Sequence, residues 1–332
     1  MSGYLAESGS EIMEAIGGYF ELELRHGEHY HEQAIRLNSA RNCFEYILLA
    51  RRYKKVYMPY YTCEVMLQPL LKYGIPYEFY SINEALEPNK TIKLLPNEAF
   101  LYTNYFGLKQ DCVERLASIY KTQLIIDNAQ AFFTPRIDSI DTFYSPRKFF
   151  GVPDGGYLYT DCTLNHDFLI DKSCDRIGHL VNRIEEGAEV GYAAFRKADD
   201  SLDNQPIRKM SKLTEQILQS IDYEYIRNQR RDNFNILQNE LNNINLFSFS
   251  LDADAVPMIY PYYAKDIDLK SQLIKKRVFV ATYWPNVEKW CVADTWEYQL
   301  AEHLVAMPID QRYGVKEMKK IVTLIKLNLW KK

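Results

Sequence analysis

The chain has 332 residues, 47% of them hydrophobic and 25% charged, with a formal net charge of −4. That is material for a sizeable core in one large or two linked domains, and it lacks the basic surplus of a nucleic-acid binder. No run of about 18 apolar residues and no basic-then-apolar leader occurs, which predicts neither membrane insertion nor export, and the six scattered cysteines predict reduced thiols in the cytoplasm.

Residues 11–36 open with a short predicted helix, Glu11–Ile16, and pass through Gly17-Gly18 into a polar loop holding His26, His29 and His31. The alternation His29-Tyr30-His31 permits two imidazoles on one side of a strand and so a metal. With no Cys or further His at ligand spacing nearby, the expectation is a surface or substrate-facing loop and no metal. Leu37-Asn38-Ser39-Ala40-Arg41-Asn42 is a helix start: Ser or Asn can cap, and Cys43, Phe44, Ile47 and Leu48 follow at helical spacing. The free amides of such an N-terminus also suit a phosphate. The basic runs Arg51-Arg52-Tyr53-Lys54-Lys55 and Arg230-Arg231 are short and predict solvated helix faces or ends.

A β-α alternation follows. It reads strand Val56–Pro59, helix Glu64–Tyr73 closed by Gly74, strand Tyr77–Ile82, strand Ala99–Asn104, turn Tyr105-Phe106-Gly107, helix Gln110–Tyr120, strand Gln123–Ile126, strand Asp141–Tyr144 and strand Gly156–Thr160. Repeats of this length predict an α/β fold with a mostly parallel, doubly wound sheet. Cys174–Glu189 and Leu213–Asn242 are helical in pattern, with a polar, turn-like excursion at Lys197–Pro206 between them. Strands near Phe247–Leu251 and Met258–Tyr262, a helix Leu269–Lys276, a strand Val278–Ala281 and a helix Val315–Leu329 predict a smaller C-terminal domain. The division is a large domain over 1–212, and a linking helix with the small domain over 213–332.

Asp127 stands where the apolar strand Leu124–Ile126 should end, the place where open α/β sheets bind ligands. Lys148 follows twenty-one residues later, in a turn closed by Gly155-Gly156. Pyridoxal 5'-phosphate needs a lysine for its aldehyde, an acid for its pyridine nitrogen and donors for its phosphate. Lys148, Asp127 and the start Ser39–Asn42, with Ser145, offer each. Taken singly these are a surface lysine, a turn cap and a helix cap; their order within one β-α frame makes them a set.

Asn38-Ser39-Ala40-Arg41, Pro59-Tyr60-Tyr61-Thr62, Asp127-Asn128-Ala129-Gln130, Lys148 followed by Asp154-Gly155-Gly156, and Met307-Pro308-Ile309-Asp310 resemble the DegT/DnrJ/EryC1/StrS sugar aminotransferases over roughly residues 35–325. These are fold-type I pyridoxal phosphate enzymes. The resemblance implies a Schiff base and proton shuttle at Lys148, a partner for the pyridine nitrogen at Asp127, and Gln130 against the cofactor ring or its hydroxyl. It also implies phosphate held by the Ala40 and Arg41 amides, and a homodimer that passes an amino group from an amino acid, usually glutamate, to a nucleotide-linked keto-sugar for surface polysaccharide or glycosylated metabolites. The chain departs from the pattern where Ser39-Ala40-Arg41 replaces Ser-Gly-Thr and where Cys63 takes the place of a stacking aromatic, with Tyr61 the substitute. The usual serine before the lysine falls to Ser145 or is replaced by Thr142. The asparagine that reaches the partner subunit's cofactor has only Asn204 as a candidate. Tyr283, in Tyr283-Trp284-Pro285, is the expected substrate contact with Tyr61, and substrate identity is expected in loops 26–33 and 183–206. A sugar dehydratase on this fold carries histidine at the lysine position, which Lys148 argues against. A non-catalytic binding relative has no evident need of both Lys148 and Asp127.

Overall fold

The computed structural model describes residues 16–329 apart from 250, 253, 266 and 267, so most of the expected helix Glu11–Ile16 lies outside the described residues. Seven strands, β1 (Ile35–Leu37), β2 (Lys55–Pro59), β3 (Tyr77–Tyr80), β4 (Glu98–Thr103), β5 (Leu124–Asn128), β6 (Asp141–Tyr144) and β7 (Gly156–Tyr159), form one sheet in the order β1-β7-β6-β5-β4-β2-β3. The five strands β3-β2-β4-β5-β6 are parallel, and β7 and β1 close the edge antiparallel. The short edge strand β1 is absent from the sequence expectations, because three residues give no alternation to read.

Period-two alternation divides the core across this sheet. Val56, Met58, Ala99, Leu101, Ile125, Phe143 and Leu158 face α1 (Ala40–Arg51) and α2 (Leu67–Tyr73). Tyr57, Phe100, Tyr102, Leu124, Ile126, Tyr144 and Tyr157 face the opposite layer, which holds α3 (Gln110–Tyr120) and much of the C-terminal third. Charged side chains fix α1 on its side: Arg51 grips buried Asp141 at the start of β6 with two 2.8 Å bonds, and buried Glu45 accepts from Lys72 and Tyr73 of α2.

Beyond β7, α4 (Gly178–Glu185) and α5 (Tyr192–Asp200) are joined by residues 186–191. Helix α5 thus occupies the first half of the stretch Lys197–Pro206 expected to be a turn, and Arg147 binding Asp199 is the interaction that favours order there. The expected helix 213–242 is two: α6 (Lys212–Gln219), capped by Ser211, and α7 (Tyr223–Leu241), capped by Asp222. A second sheet pairs β8 (Ile259–Tyr263) antiparallel with β9 (Leu304–Pro308). Around it lie α8 (Leu269–Lys275), α9 (Val287–Trp290), α10 (Trp296–His303) and α11 (Val315–Leu329). Among the described residues no strand forms over 247–251 or 278–281. Phe247 and Phe249 pack as rings against the core, and Ala281 makes only an isolated bridge to Ala306.

Two polar expectations are corrected. His29 and His31 are buried, not on a surface loop: His29 Nδ1 meets the Tyr157 hydroxyl at 2.7 Å, and His31 Nε2 meets the Phe132 carbonyl at 2.8 Å. Burial pulls both imidazoles down to about 4, so they are neutral packing groups at pH 7. Arg230 is likewise buried rather than solvated, holding the carbonyls of Met258 and Phe149.

Gly156 marks the tightest approach in the fold. A Cβ there would lie 2.5 Å from the Ser39 carbonyl carbon and 2.7 Å from the Ala40 nitrogen, both backbone atoms. Gly156→Ala should therefore destabilise the chain by about 1–3 kcal/mol or more, as overpacking does. Urea unfolding of the two proteins checks this, and an unchanged midpoint would show that the contact relaxes freely.

Candidate functional site

The C-terminal ends of β4, β5 and β6 meet along one edge, where Thr103 pairs with Asp127 and Asn128 with Tyr144. Asp127 is buried. Its Oδ1 accepts the Ala129 amide at 2.8 Å and its Oδ2 the Thr103 hydroxyl at 3.4 Å. Burial lifts the Asp127 carboxyl to about 6, against the pull of the Ala129 amide, Lys148 and Thr103.

Lys148 ends a single 3-10 turn, Pro146–Lys148, directly after β6, with Ser145 as the extended residue before it. The lysine is exposed, and its ammonium stands 5.8 Å from the centroid of the Tyr283 ring. Its charge acts on Asp127, Cys63, Tyr283 and Asp199, so groups distant in sequence converge around one amine. Burial raises both the Cys63 thiol and the Tyr283 phenol, with Lys148 pulling each the other way.

Helix α1 begins beside these groups. Ser39 caps it: its hydroxyl accepts the Asn42 amide at 3.1 Å and donates to Asn42 Oδ1 at 2.6 Å. The amides of Ala40 and Arg41, in the first turn, have no intrahelical acceptor. The Arg41 side chain is held at one nitrogen by Gln68 Oε1, the Leu202 carbonyl and Asp203, within 2.7–2.9 Å. Its Nε has no partner, and neither have the buried Arg147 Nε, Gln130 Nε2, Asn128 Oδ1 and Tyr61 hydroxyl among the described residues. Gln130 uses its other end to accept the Phe106 amide at 3.0 Å. This concentration of unsatisfied polar atoms beside a helix start and a lysine is the pattern of a site shaped for a polar ligand.

The sequence candidates fall unevenly. Asp127, Lys148, Cys63 and Tyr283 share one electrostatic neighbourhood, and Arg41 acts on Cys63 as well. Ser145 directly precedes the lysine turn. Tyr61 is 0% exposed, its ring against Tyr105 and Trp284. The Asn204 backbone amide donates to Gln68 Oε1 at 3.0 Å.

Several solved structures share this fold. NtdA from Bacillus subtilis, with bound cofactor PMP, matches with a TM-score of 0.62 and 17% identity over 88% of this chain and 72% of its own. DesI, in the presence of its TDP-sugar product, matches at 0.61 and 15% over 89% and 80%. A DegT DnrJ EryC1 StrS aminotransferase from Brucella abortus matches at 0.59 and 15% over 88% and 85%. The chain has the fold-type I architecture. No family model matches the sequence, and no curated protein is similar to it in sequence.

Sequence reasoning missed Thr103, Arg147 and Asp199. Arg147 donates to Asp199 at 2.8 Å, and although burial works to raise the Asp199 carboxyl, Arg147, Lys148 and Arg41 together hold it below its usual range. Nothing in the pattern of 192–203 signals this; only the fold brings α5 to the lysine turn. Among the described residues no group of three or more His, Cys, Asp or Glu forms a metal site.

The Asp127 carboxyl yields a test of the free protein. It keeps its proton up to about 6 when folded and releases it near 3.8 when unfolded, so the folded state holds more protons between those values. Its contribution to stability therefore falls as pH rises through that window. Asp127→Asn should remove that part of the slope, leaving the variant at pH 7 more stable than wild type by on the order of 1–3 kcal/mol, less any loss at the Ala129 amide. Urea unfolding of both proteins from pH 3.5 to 7 measures the difference, and parallel curves would refute the assignment.

Proposed function

We propose that this chain is a pyridoxal 5'-phosphate-dependent aminotransferase that passes an amino group from an amino acid, glutamate foremost, to a nucleotide-linked keto-sugar. The observation that carries the reading is the buried Asp127 carboxyl with the Lys148 amine acting on it across one site. Two buried donors without a partner among the described residues, Arg41 Nε and Gln130 Nε2, are groups that a phosphorylated ring would satisfy.

When bound, the cofactor supplies an electron sink for the carbon that loses its proton. Asp127 would hold a proton on the ring nitrogen, and that cation would relieve the carboxylate's burial by neutralising it. The Ala40 and Arg41 amides, the Arg41 guanidinium and the Ser145 hydroxyl would hold the phosphate. Gln130 would reach the ring's hydroxyl, and Cys63 would lie against its face with less contact area than an aromatic gives. Lys148 Nζ would carry the cofactor in the resting protein and, once released, move the proton between substrate carbon and cofactor. Tyr283 would wall the substrate side, with Tyr61 supporting it from beneath Trp284.

The DesI structure with a TDP-sugar product supports a nucleotide-linked acceptor; the protein would work in the cytoplasm, its products feeding surface polysaccharide or glycoconjugates. A homodimer is part of the proposal. The segment Ile16–Leu22 leaves Tyr19 99% and Phe20 94% exposed, apolar surface that a second copy would cover. The units would be a cofactor domain over 1–212 and a smaller domain over 213–332.

Purified protein mixed with pyridoxal phosphate should develop a visible absorption band that glutamate bleaches. Lys148→Ala should lose the covalent adduct, read by borohydride trapping and mass spectrometry. A band indifferent to every amino donor would favour a binding protein, and an adduct that persists in Lys148→Ala would overturn the lysine assignment. Arg41→Ala should weaken cofactor binding roughly tenfold, as loss of a charge-assisted contact does. Titration followed at the visible band measures this, and unchanged affinity would leave the phosphate to the amides alone.

A further inference from the structure

Cys63 takes its position from a residue far along the chain. Asn286 Nδ2 donates to the Thr62 carbonyl at 2.9 Å, across 224 residues of sequence, and both residues are buried. The carbonyl belongs to the planar peptide unit that leads into Cys63, so fixing it fixes the direction in which the Cys63 Cα and thiol leave the chain. The neighbouring units are held as well. The Tyr105 hydroxyl donates to the Tyr61 carbonyl at 2.9 Å, and the Cys63 carbonyl accepts the Met66 amide at 3.0 Å. Of these three donors, Asn286 alone comes from the C-terminal third.

The residues beside Asn286 reach the same cleft. The Lys148 ammonium stands 5.8 Å from the centroid of the Tyr283 ring, and the Trp284 ring lies 5.0 Å from that of Tyr61. Lys148 acts on both Cys63 and Tyr283, and Cys63 acts on Tyr283 in turn. Pro285 stiffens the link between Trp284 and Asn286. The short segment 283–286 therefore meets the lysine, the Tyr61 ring and the peptide that carries Cys63. A bond that only fastened the C-terminal third to the sheet would resemble that of Glu297 in α10, which is buried and accepts the Ile82 amide at 2.7 Å. Ile82 follows β3, an edge strand with β2, β4 and β5 between it and β6.

We propose that Asn286 is a positioning residue: its bond to the Thr62 carbonyl sets the Cys63 thiol against the face of the bound cofactor and holds it in step with the Tyr283 wall. What the thiol faces rests on the pyridoxal phosphate reading; where it is held does not.

Alkylation of the full chain by iodoacetamide, followed cysteine by cysteine with mass spectrometry, tests the placing without cofactor. Cys63 is part-exposed and should react, while Cys43 and Cys112 are buried and serve as references. Asn286→Ala should raise the Cys63 rate about fivefold, the factor equivalent to one lost hydrogen bond, and leave the references unchanged. Asn286→Asp, which sets an acceptor against the carbonyl, should do the same. Glu297→Ala should lower the melting temperature and leave the Cys63 rate alone. A wild-type rate in both Asn286 variants, or an equal rise in Glu297→Ala, would overturn the proposal. Pyridoxal phosphate supplies the second arm. In wild type it should develop its visible band and slow Cys63 alkylation severalfold, and in Asn286→Ala it should bind more weakly with a displaced band. A wild-type band with no protection of Cys63 would sink the proposal even if neither Asn286 variant folded. Absence of that band, with Cys63 still quickened by Asn286→Ala, would refute the cofactor reading and uphold the placing of the thiol.

Discussion

The arrangement of this molecule depends on the absence of one carbon atom. Position 156 has no side chain, so β7 can lie against the peptide joining Ser39 to Ala40, and the start of α1 is carried to the edge where β5 and β6 end. The Gly155 amide donates to the Asn38 carbonyl at 2.8 Å, fixing the approach from the other side. Asp154 anchors the next layer: fully buried, it accepts the Ser211 amide at 3.0 Å and the Ser211 hydroxyl at 2.8 Å, bonds Thr214, and so holds the start of α6. Asp154-Gly155-Gly156 is thus a joint between three elements before it is part of any site.

Electrostatics at that joint are left open on one side and closed on the other. Asp127 sits in the sheet edge with one cation acting on it, and its carboxyl is correspondingly reluctant to ionise. The cations near the start of α1 are better supplied: Asp203 takes Arg41 and Asp199 takes Arg147. Both acids belong to the stretch 192–203, which therefore acts as counter-charge for these two arginines. Because Asp203 and Asp199 are about half exposed, solvent screens these pairs and they hold position more than they add stability.

The parallel sheet, the capped start at Ser39, helix Gln110–Tyr120 and the pair Asp127 and Lys148 were legible because each follows a local rule: alternation, capping or an acid after an apolar run. The C-terminal third was less so. Phe247 and Phe249 have the aromatic content of a strand but no partner strand, and Trp296–His303 offers a weak amphipathic stripe because much of that helix is buried. The histidines misled for a related reason: three in a polar loop suggest surface or metal, yet Tyr157 and Phe132, more than a hundred residues away, supply their partners. Likewise nothing near Tyr61 in sequence announces that Trp284 packs against its ring.

Arg230 shows how far the lysine turn depends on distant residues. The turn that carries Lys148 exposes the Phe149 carbonyl to the interior, where it accepts from Arg230 at 3.3 Å and from Gln311 Nε2 at 2.9 Å. The same guanidinium reaches the Met258 carbonyl at 3.0 Å and Gln311 Oε1 at 3.1 Å, and it lies 4.5 Å from the centre of the Phe149 ring. Burial draws it down to about 10, yet Asp310 opposes the fall, so it stays charged at neutral pH. A planar fork with five donors can serve two carbonyls, an amide oxygen and a ring at once, whereas an ammonium offers three donors from a single point. The backbone directly after Lys148 is therefore held from α7 and from the segment after β9.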